Sequence, residues 1–161
     1  MIVVVDGNIC SGKSRFLDQL ATKGHVVHKE PINLWPLQEF YNDPKRWAFT
    51  LQVAVLDSLK SVDGYHERCP ESSFEIFWDS TLVDPVEDAT IRRLHSSISW
   101  SPDLYIYLKS SPEKCFERLQ TRGQVGDSAV TLEYLRKLHD KYEQFFATRA
   151  HVLVDAEASF V

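Results

Sequence analysis

Apolar residues along this chain alternate between two rhythms. Residues 2–5 (IVVV) form a short unbroken apolar run, the mark of a strand buried on both faces. From residue 13 to 21 the spacing becomes helical, with Phe16, Leu17 and Leu20 on one side. Val26 and Val27 make a second short strand ending at Glu30-Pro31, and Pro44, suited to a first helical turn, opens a longer helix to about residue 60. Residues 104–108 (LYIYL) read as another buried strand, followed by a helix starting at Ser111-Pro112. An amphipathic helix spans 131–147, and 151–154 close the chain as a strand. Strands alternating with helices predict a three-layer α/β fold around a parallel sheet. No repeat or Gly/Ser-rich linker divides the pattern, so one domain over 1–161 is expected.

Composition narrows the partners. Of 161 residues, 43% are apolar and 25% charged, enough for a substantial core. A formal charge of −5 argues against binding nucleic acid along its backbone, so any polyanion must be gripped by a few placed cations. No apolar run is long enough to cross a membrane, and the first strand lacks the flanks of a signal peptide. Cys10, Cys69 and Cys115 lie far apart, which gives neither a disulfide framework nor zinc spacing. An intracellular, cytoplasmic setting is expected. His25 and His28 lack the spacing and the companions of a metal site.

The sharpest chemistry is Gly7-Asn8-Ile9-Cys10-Ser11-Gly12-Lys13-Ser14, which matches G-x-x-x-x-G-K-[ST]. It follows a buried strand and opens a helix, the context in which backbone N–H groups and a helix N-terminus hold phosphate. Lys13 is expected to reach the β- and γ-phosphates of ATP, and Ser14 to ligate Mg²⁺. The acceptor must be read elsewhere. In open parallel sheets, ligands bind outside the carboxyl ends of the strands. Glu30 stands at the end of the second strand, His66-Glu67-Arg68 form a polar cluster, and Arg118 and Arg122 follow LYIYL. A carboxylate there can take a proton from an acceptor hydroxyl, and arginines can neutralise a phosphoryl group in transfer. On the helix after Pro44, Ala48, Gln52, Val55 and Leu59 share a face that is apolar apart from one amide. Gln52 is either a core glutamine bonded to backbone or a reader of a nucleobase edge.

In order, DGNICSGKS, EPINLW, YNDPKRWAFTLQ, ERC, PDLYIYLKSSPEKCFERLQTRG, LEYLRKLHDKYEQFF and VLVDA resemble the motifs of the deoxyribonucleoside kinase family. The resemblance implies a P-loop kinase fold, a five-stranded parallel sheet flanked by helices, with a short lid. It implies ATP- and Mg²⁺-dependent phosphorylation of a deoxynucleoside 5′-hydroxyl, with Glu30 as the base. Trp35 would line the pocket, Tyr41 and Asp127 would hold the 3′-hydroxyl, Gln52 would pair with the base and Phe77 would stack on it. Arg68 would hold the 5′-oxygen and phosphate, Glu67 would join Ser14 at Mg²⁺, and Arg118 and Arg122 would clamp the donor phosphates from the lid. It also makes a homodimer possible, through helices in a stretch, 78–100, that is short here.

Several positions depart from the family's pattern. Gln120 and Gln124 stand where some relatives have arginine, which predicts weaker charge stabilisation. Cys69 replaces the usual serine, and the strand entering Glu67 carries Asp63 and Gly64, as an edge or shortened strand would. Leu59 and Ser73 occupy places where purine- and cytidine-favouring relatives have Arg and Asp. With Val55, an apolar Leu59 leaves room for a thymine methyl, so the expected acceptor is a pyrimidine, thymidine above deoxycytidine. The nearest rival is a thymidylate-type monophosphate kinase, which would need extra arginines near the acceptor. A catalytically impaired nucleotide-binding relative is a further alternative. A GTPase-type switch would need D-x-x-G and N-K-x-D, and neither occurs.

Overall fold

A computed structural model describes residues 1–157; residues 158–161, which close the expected domain, lie outside the described residues. In chain order the elements are β1 (Ile2–Asp6), α1 (Lys13–Thr22), β2 (Val27–His28), α2 (Leu37–Asn42), α3 (Pro44–Ser58) and β3 (Gly64–Glu67). They continue with α4 (Pro70–Phe77), α5 (Pro85–Ile98), β4 (Leu104–Lys109), α6 (Pro112–Arg122), α7 (Leu132–Ala147) and β5 (His151–Asp155). The strands form one sheet in the order β2-β3-β1-β4-β5, with every pairing parallel. The expected five-stranded α/β architecture is therefore present.

Proline at a helix start, behind a capping residue, is used repeatedly. Asp43 accepts from Arg46 N ahead of Pro44, and Ser111 accepts from Lys114 N ahead of Pro112. The same signal opens α5, where Asp84 accepts from Glu87 N ahead of Pro85, and α4, where Cys69 precedes Pro70. Apolar periodicity alone reads neither of these two helices. Along the strands, successive side chains enter different cores, as a period of two requires. Val4, Tyr105 and Tyr107 pack with Leu138, Tyr142, Phe145 and Phe146 of α7 and Ile76 of α4. Val5 and Leu108 pack with Leu17 of α1 and Ala156.

Two expectations are corrected. β3 is short, as one of the two readings has it, but it is not an edge strand, since it pairs with both β2 and β1. Its polar residues are satisfied: His66 Nε2 lies 2.7 Å from the Val62 carbonyl, and its ring stacks on His28 with centroids 4.5 Å apart. Burial keeps the His66 pKa below its ordinary value. Gly64 has φ +125°, and a Cβ there would meet the Val26 carbonyl oxygen at 2.8 Å, so the tight strand entry calls for glycine. Asp63 lies before the strand and accepts from the N-terminal ammonium at 3.1 Å. The second correction concerns Leu59. Helix α3 stops at Ser58, Leu59 turns to an extended conformation, and its carbonyl accepts from Trp100 Nε1 at 2.8 Å. Leu59 is buried away from the cavity described below and does not line it.

Among the described residues no helix is long and apolar enough to cross a membrane. At the carboxyl ends of the parallel strands, β1 delivers the loop 7–14 and β3 delivers Glu67 and Arg68, side by side.

Candidate active site

The loop between β1 and α1 folds around its own lysine. Lys13 Nζ donates to the carbonyls of Gly7 at 2.9 Å and Asn8 at 2.6 Å. Burial, helped by nearby Arg68, lowers its pKa to about 8. Cys10 sits at φ 61°, a left-handed conformation that is strained for a non-glycine residue. Asp6 Oδ1 accepts from Gly7 N at 2.8 Å, and Asn8 spans loop and α7 by donating to the Leu135 carbonyl at 2.9 Å. Gly7, Asn8 and Ser11 are thus the inner side of the loop. They do not line the cavity, whereas Ile9, Cys10, Gly12, Lys13 and Ser14 do.

Arg68 is the second strained residue, at φ 62° just beyond β3. Its guanidinium donates to Glu30 Oε1 at 2.9 Å, to the Tyr142 hydroxyl at 3.1 Å and to the Gly7 carbonyl at 3.2 Å. The Phe77 ring lies under it, 4.6 Å from the guanidinium carbon. Tyr142 in turn donates to Asp6 Oδ1 at 2.8 Å, so a buried Asp6–Tyr142–Arg68–Glu30 chain crosses the strand ends. Burial pushes the Glu30 carboxyl above its ordinary pKa, opposed by Arg68 and reinforced by Glu67. Beside them Ser14 Oγ donates to Glu67 Oε1 at 3.0 Å. These two oxygens suit a hard divalent cation that takes its other ligands from water and phosphate.

A cavity of about 1650 Å³ joins the outer side of the loop to α2, α3, α4 and α7. Glu30, Trp35, Tyr41, Gln52, Val55, Glu67, Arg68, Ser73, Phe77, Arg118, Arg122 and Asp127 all line it. The structure therefore brings together every expected acceptor-side residue except Leu59 and every expected ATP-side residue except Gly7, Asn8 and Ser11. Trp35 is fixed by donating to Ser58 Oγ at 2.8 Å. Arg118 Nη2 reaches the Ala156 carbonyl at 2.6 Å, and its Nη1 reaches the Cys10 carbonyl at 3.3 Å. Arg122 grips Asp127 through both carboxylate oxygens, at 2.5 and 3.0 Å. Gly126, at φ +85°, lies so close to Tyr41 that a Cβ there would meet a ring carbon at 1.9 Å. The segment after α6 is thereby seated on Tyr41.

Gln52 is not bonded to backbone: its Nε2 lies 3.1 Å from His95 Nε2. Sequence reasoning alone misses His95, Tyr142 and Asp6. Tyr142 carries a signal, as the one polar tip on the buried stripe of α7, but a lone histidine on a helix whose partner is far away in sequence carries none.

A phosphate loop at the carboxyl edge of a parallel sheet, with a helix N-terminus behind it, is the frame of a P-loop nucleotide-binding fold. A family model described as Deoxynucleoside kinase matches residues 3–161, and the chain belongs to that family. The chain is 30% identical over 184 residues to the thymidine kinase of Ictalurid herpesvirus 1 (strain Auburn), covering 99% of this chain and 80% of the relative. To the deoxycytidine kinase of Mus musculus it is 28% identical over 196 residues, covering 91% and 75%. Its fold is similar to that of a deoxyadenosine kinase from M. mycoides solved with the products dCMP and a flexible dCDP. The TM-score there is 0.83, at 24% identity over 99% of this chain and 92% of that one. Family membership makes the chain a kinase of the nucleoside-phosphorylating kind; the relatives' names differ in the base.

Proposed function

We propose that this kinase moves the γ-phosphoryl group of ATP to the 5′-hydroxyl of a pyrimidine deoxynucleoside, thymidine above deoxycytidine. The observation that carries the reading is the shared cavity: a buried Glu30–Arg68 pair lies between the lysine of the phosphate loop and an amide-bearing apolar recess. Glu30 takes the 5′-hydroxyl proton as that oxygen attacks phosphorus and the bond to the β-phosphate oxygen breaks, releasing ADP. Arg68 holds Glu30 in place and faces the developing charge, while Lys13, Arg118 and Arg122 neutralise the donor phosphates. Mg²⁺, bound through Ser14 and Glu67, would offset charge on the phosphate oxygens.

Tyr41 and Asp127 take the 3′-hydroxyl, Phe77 and Trp35 flank the base, and Gln52 pairs with it. Val55 and Ser73 place no charge at two positions of the recess around Gln52, which supports a pyrimidine. Leu59, outside the cavity, adds nothing to this preference. The test offers thymidine, deoxycytidine, deoxyadenosine, deoxyguanosine and thymidine monophosphate separately with labelled ATP and Mg²⁺. Greatest turnover with thymidine is expected. A purine preference would overturn the base assignment, and product from the monophosphate alone would make the protein a monophosphate kinase.

A further inference from the structure

Gln52 and His95 meet across two helices. Gln52 lies within α3 and lines the cavity; His95 lies in the last turn of α5, and both side chains are buried. A contact between two nitrogens needs one donor and one acceptor. The amide nitrogen of glutamine only donates, so here the imidazole Nε2 supplies the lone pair and the ring proton sits on Nδ1. Turning the amide by half a revolution sets its oxygen against His95, and the ring must then carry its proton on Nε2. Phe74 fixes the imidazole plane, its ring centroid 4.2 Å away and tilted by 34°. Burial lowers the His95 pKa to about 4, so near neutral pH the ring holds one proton and can take either form.

We propose that His95 is a positioning residue for base reading: it ties the orientation of the Gln52 amide to the tautomer of its own ring, and so locks in place whichever donor–acceptor order a nucleobase meets. The inference rests on the functional reading above, in which Gln52 faces the base. Thymine presents an N3–H donor beside the O4 acceptor, whereas cytosine presents an N3 acceptor beside an amino donor. The two orders are reversed, and a bidentate amide must turn over to serve both. The amide N–H that points away from the base, or the second lone pair of the oxygen in the turned state, is the one that meets His95. A glutamine with no partner behind it turns freely. Here each turn requires the ring proton to change nitrogen, so the two bases are read by opposite tautomers of one histidine.

The experiment records two-bond nitrogen–proton correlation spectra of wild-type protein labelled with ¹⁵N-histidine, alone and saturated with thymidine or deoxycytidine. The tautomer of His95 is expected to invert between the two complexes. One tautomer shared by both complexes, or a ring untouched by either, would overturn the proposal. If only one nucleoside binds, a single fully populated tautomer is expected in that complex, and a mixture would overturn it. Kinetics supply the second arm. His95→Phe, which keeps the stack on Phe74, removes the bond behind the amide in either orientation, so it should raise the acceptor KM by about fivefold for each nucleoside that binds, the size of one net hydrogen bond. The KM for ATP should stay within about twofold, and His95→Gln, which pairs with either end of the amide, should restore the acceptor KM. An unmoved acceptor KM in a folded His95→Phe protein would sink this inference alone. A wild-type protein that neither binds nor phosphorylates any nucleoside would overturn the functional reading and this one together.

Discussion

Glu30→Gln changes the chemistry of one buried side chain and little of its shape. Glu30 is about nine-tenths buried and accepts from Arg68 at 2.9 Å, a bond the amide oxygen of glutamine can keep. What the variant loses is the basic oxygen. General-base catalysis is worth about 10²–10⁴-fold, which is about 2.7–5.4 kcal/mol of barrier. Stability should move much less, for two opposed reasons. The neutral side chain removes an ionised carboxylate that burial disfavours, as its raised pKa shows. Against this, Arg68 loses one counter-charge, although Asp6 remains 3.4 Å from its Nε and Tyr142 still accepts from it. If the two offset to within about 1 kcal/mol, Tm shifts by no more than about 4 °C. The assay is kcat at saturating ATP and acceptor, with calorimetric acceptor binding and a thermal melt on the same samples. A fall in kcat of about 100-fold or more, with acceptor Kd within about fivefold, is expected. A kcat within tenfold of wild type would refute Glu30 as the base. Loss of binding together with a much lower Tm would assign Glu30 to holding Arg68 and nothing more.

The same geometry sets further outcomes. With Glu30 required ionised and Lys13 required protonated, kcat/KM should rise with pH through a limb above the ordinary glutamate value of 4.5 and fall again near pH 8. Glu30→Gln should abolish the acid limb and keep the alkaline one; an unchanged profile would contradict both assignments. Asp127→Asn weakens the grip on Arg122 and the proposed 3′-hydroxyl contact, so acceptor KM should rise about tenfold while ATP KM changes less than threefold. An effect confined to ATP would place Asp127 on the donor side alone. Gly126→Ala forces a side chain into the Tyr41 ring at a left-handed backbone position, and should raise acceptor KM in a folded protein; wild-type kinetics would show that the segment moves away freely. Tyr142→Phe removes the hydroxyl between Asp6 and Arg68, leaving a fully buried carboxylate short of a donor. A loss of about 1–3 kcal/mol in chemical denaturation is expected, and no loss would mean the chain of bonds is not holding Arg68.

The phosphate loop and four of the five strands are legible in the sequence because each is written in consecutive residues: a fixed motif, or an unbroken apolar run. Glu30, Arg68, Arg118 and Arg122 are legible because a parallel sheet gathers the residues after each strand at one edge. Tertiary partnership is not legible. β3 looks too polar for an inner strand, since the contacts that satisfy His66 come from Val62, His28 and Trp100 and leave no trace in periodicity. Leu59 sits at helical spacing from Val55, yet the helix ends one residue earlier and turns it elsewhere, a boundary that spacing does not resolve. His95 is invisible as a site residue until α5 is packed against α3.

The most direct measurement is the position of transfer: γ-labelled ATP and Mg²⁺ with thymidine, and in parallel with thymidine lacking its 5′-oxygen, the product being placed by phosphorus–proton coupling. Label on the 5′-oxygen of thymidine, and none in the 5′-deoxy compound, is the predicted result. Label on the 3′-oxygen, or equal product from both compounds, would contradict the assignment of Glu30 and Arg68 to the 5′-hydroxyl.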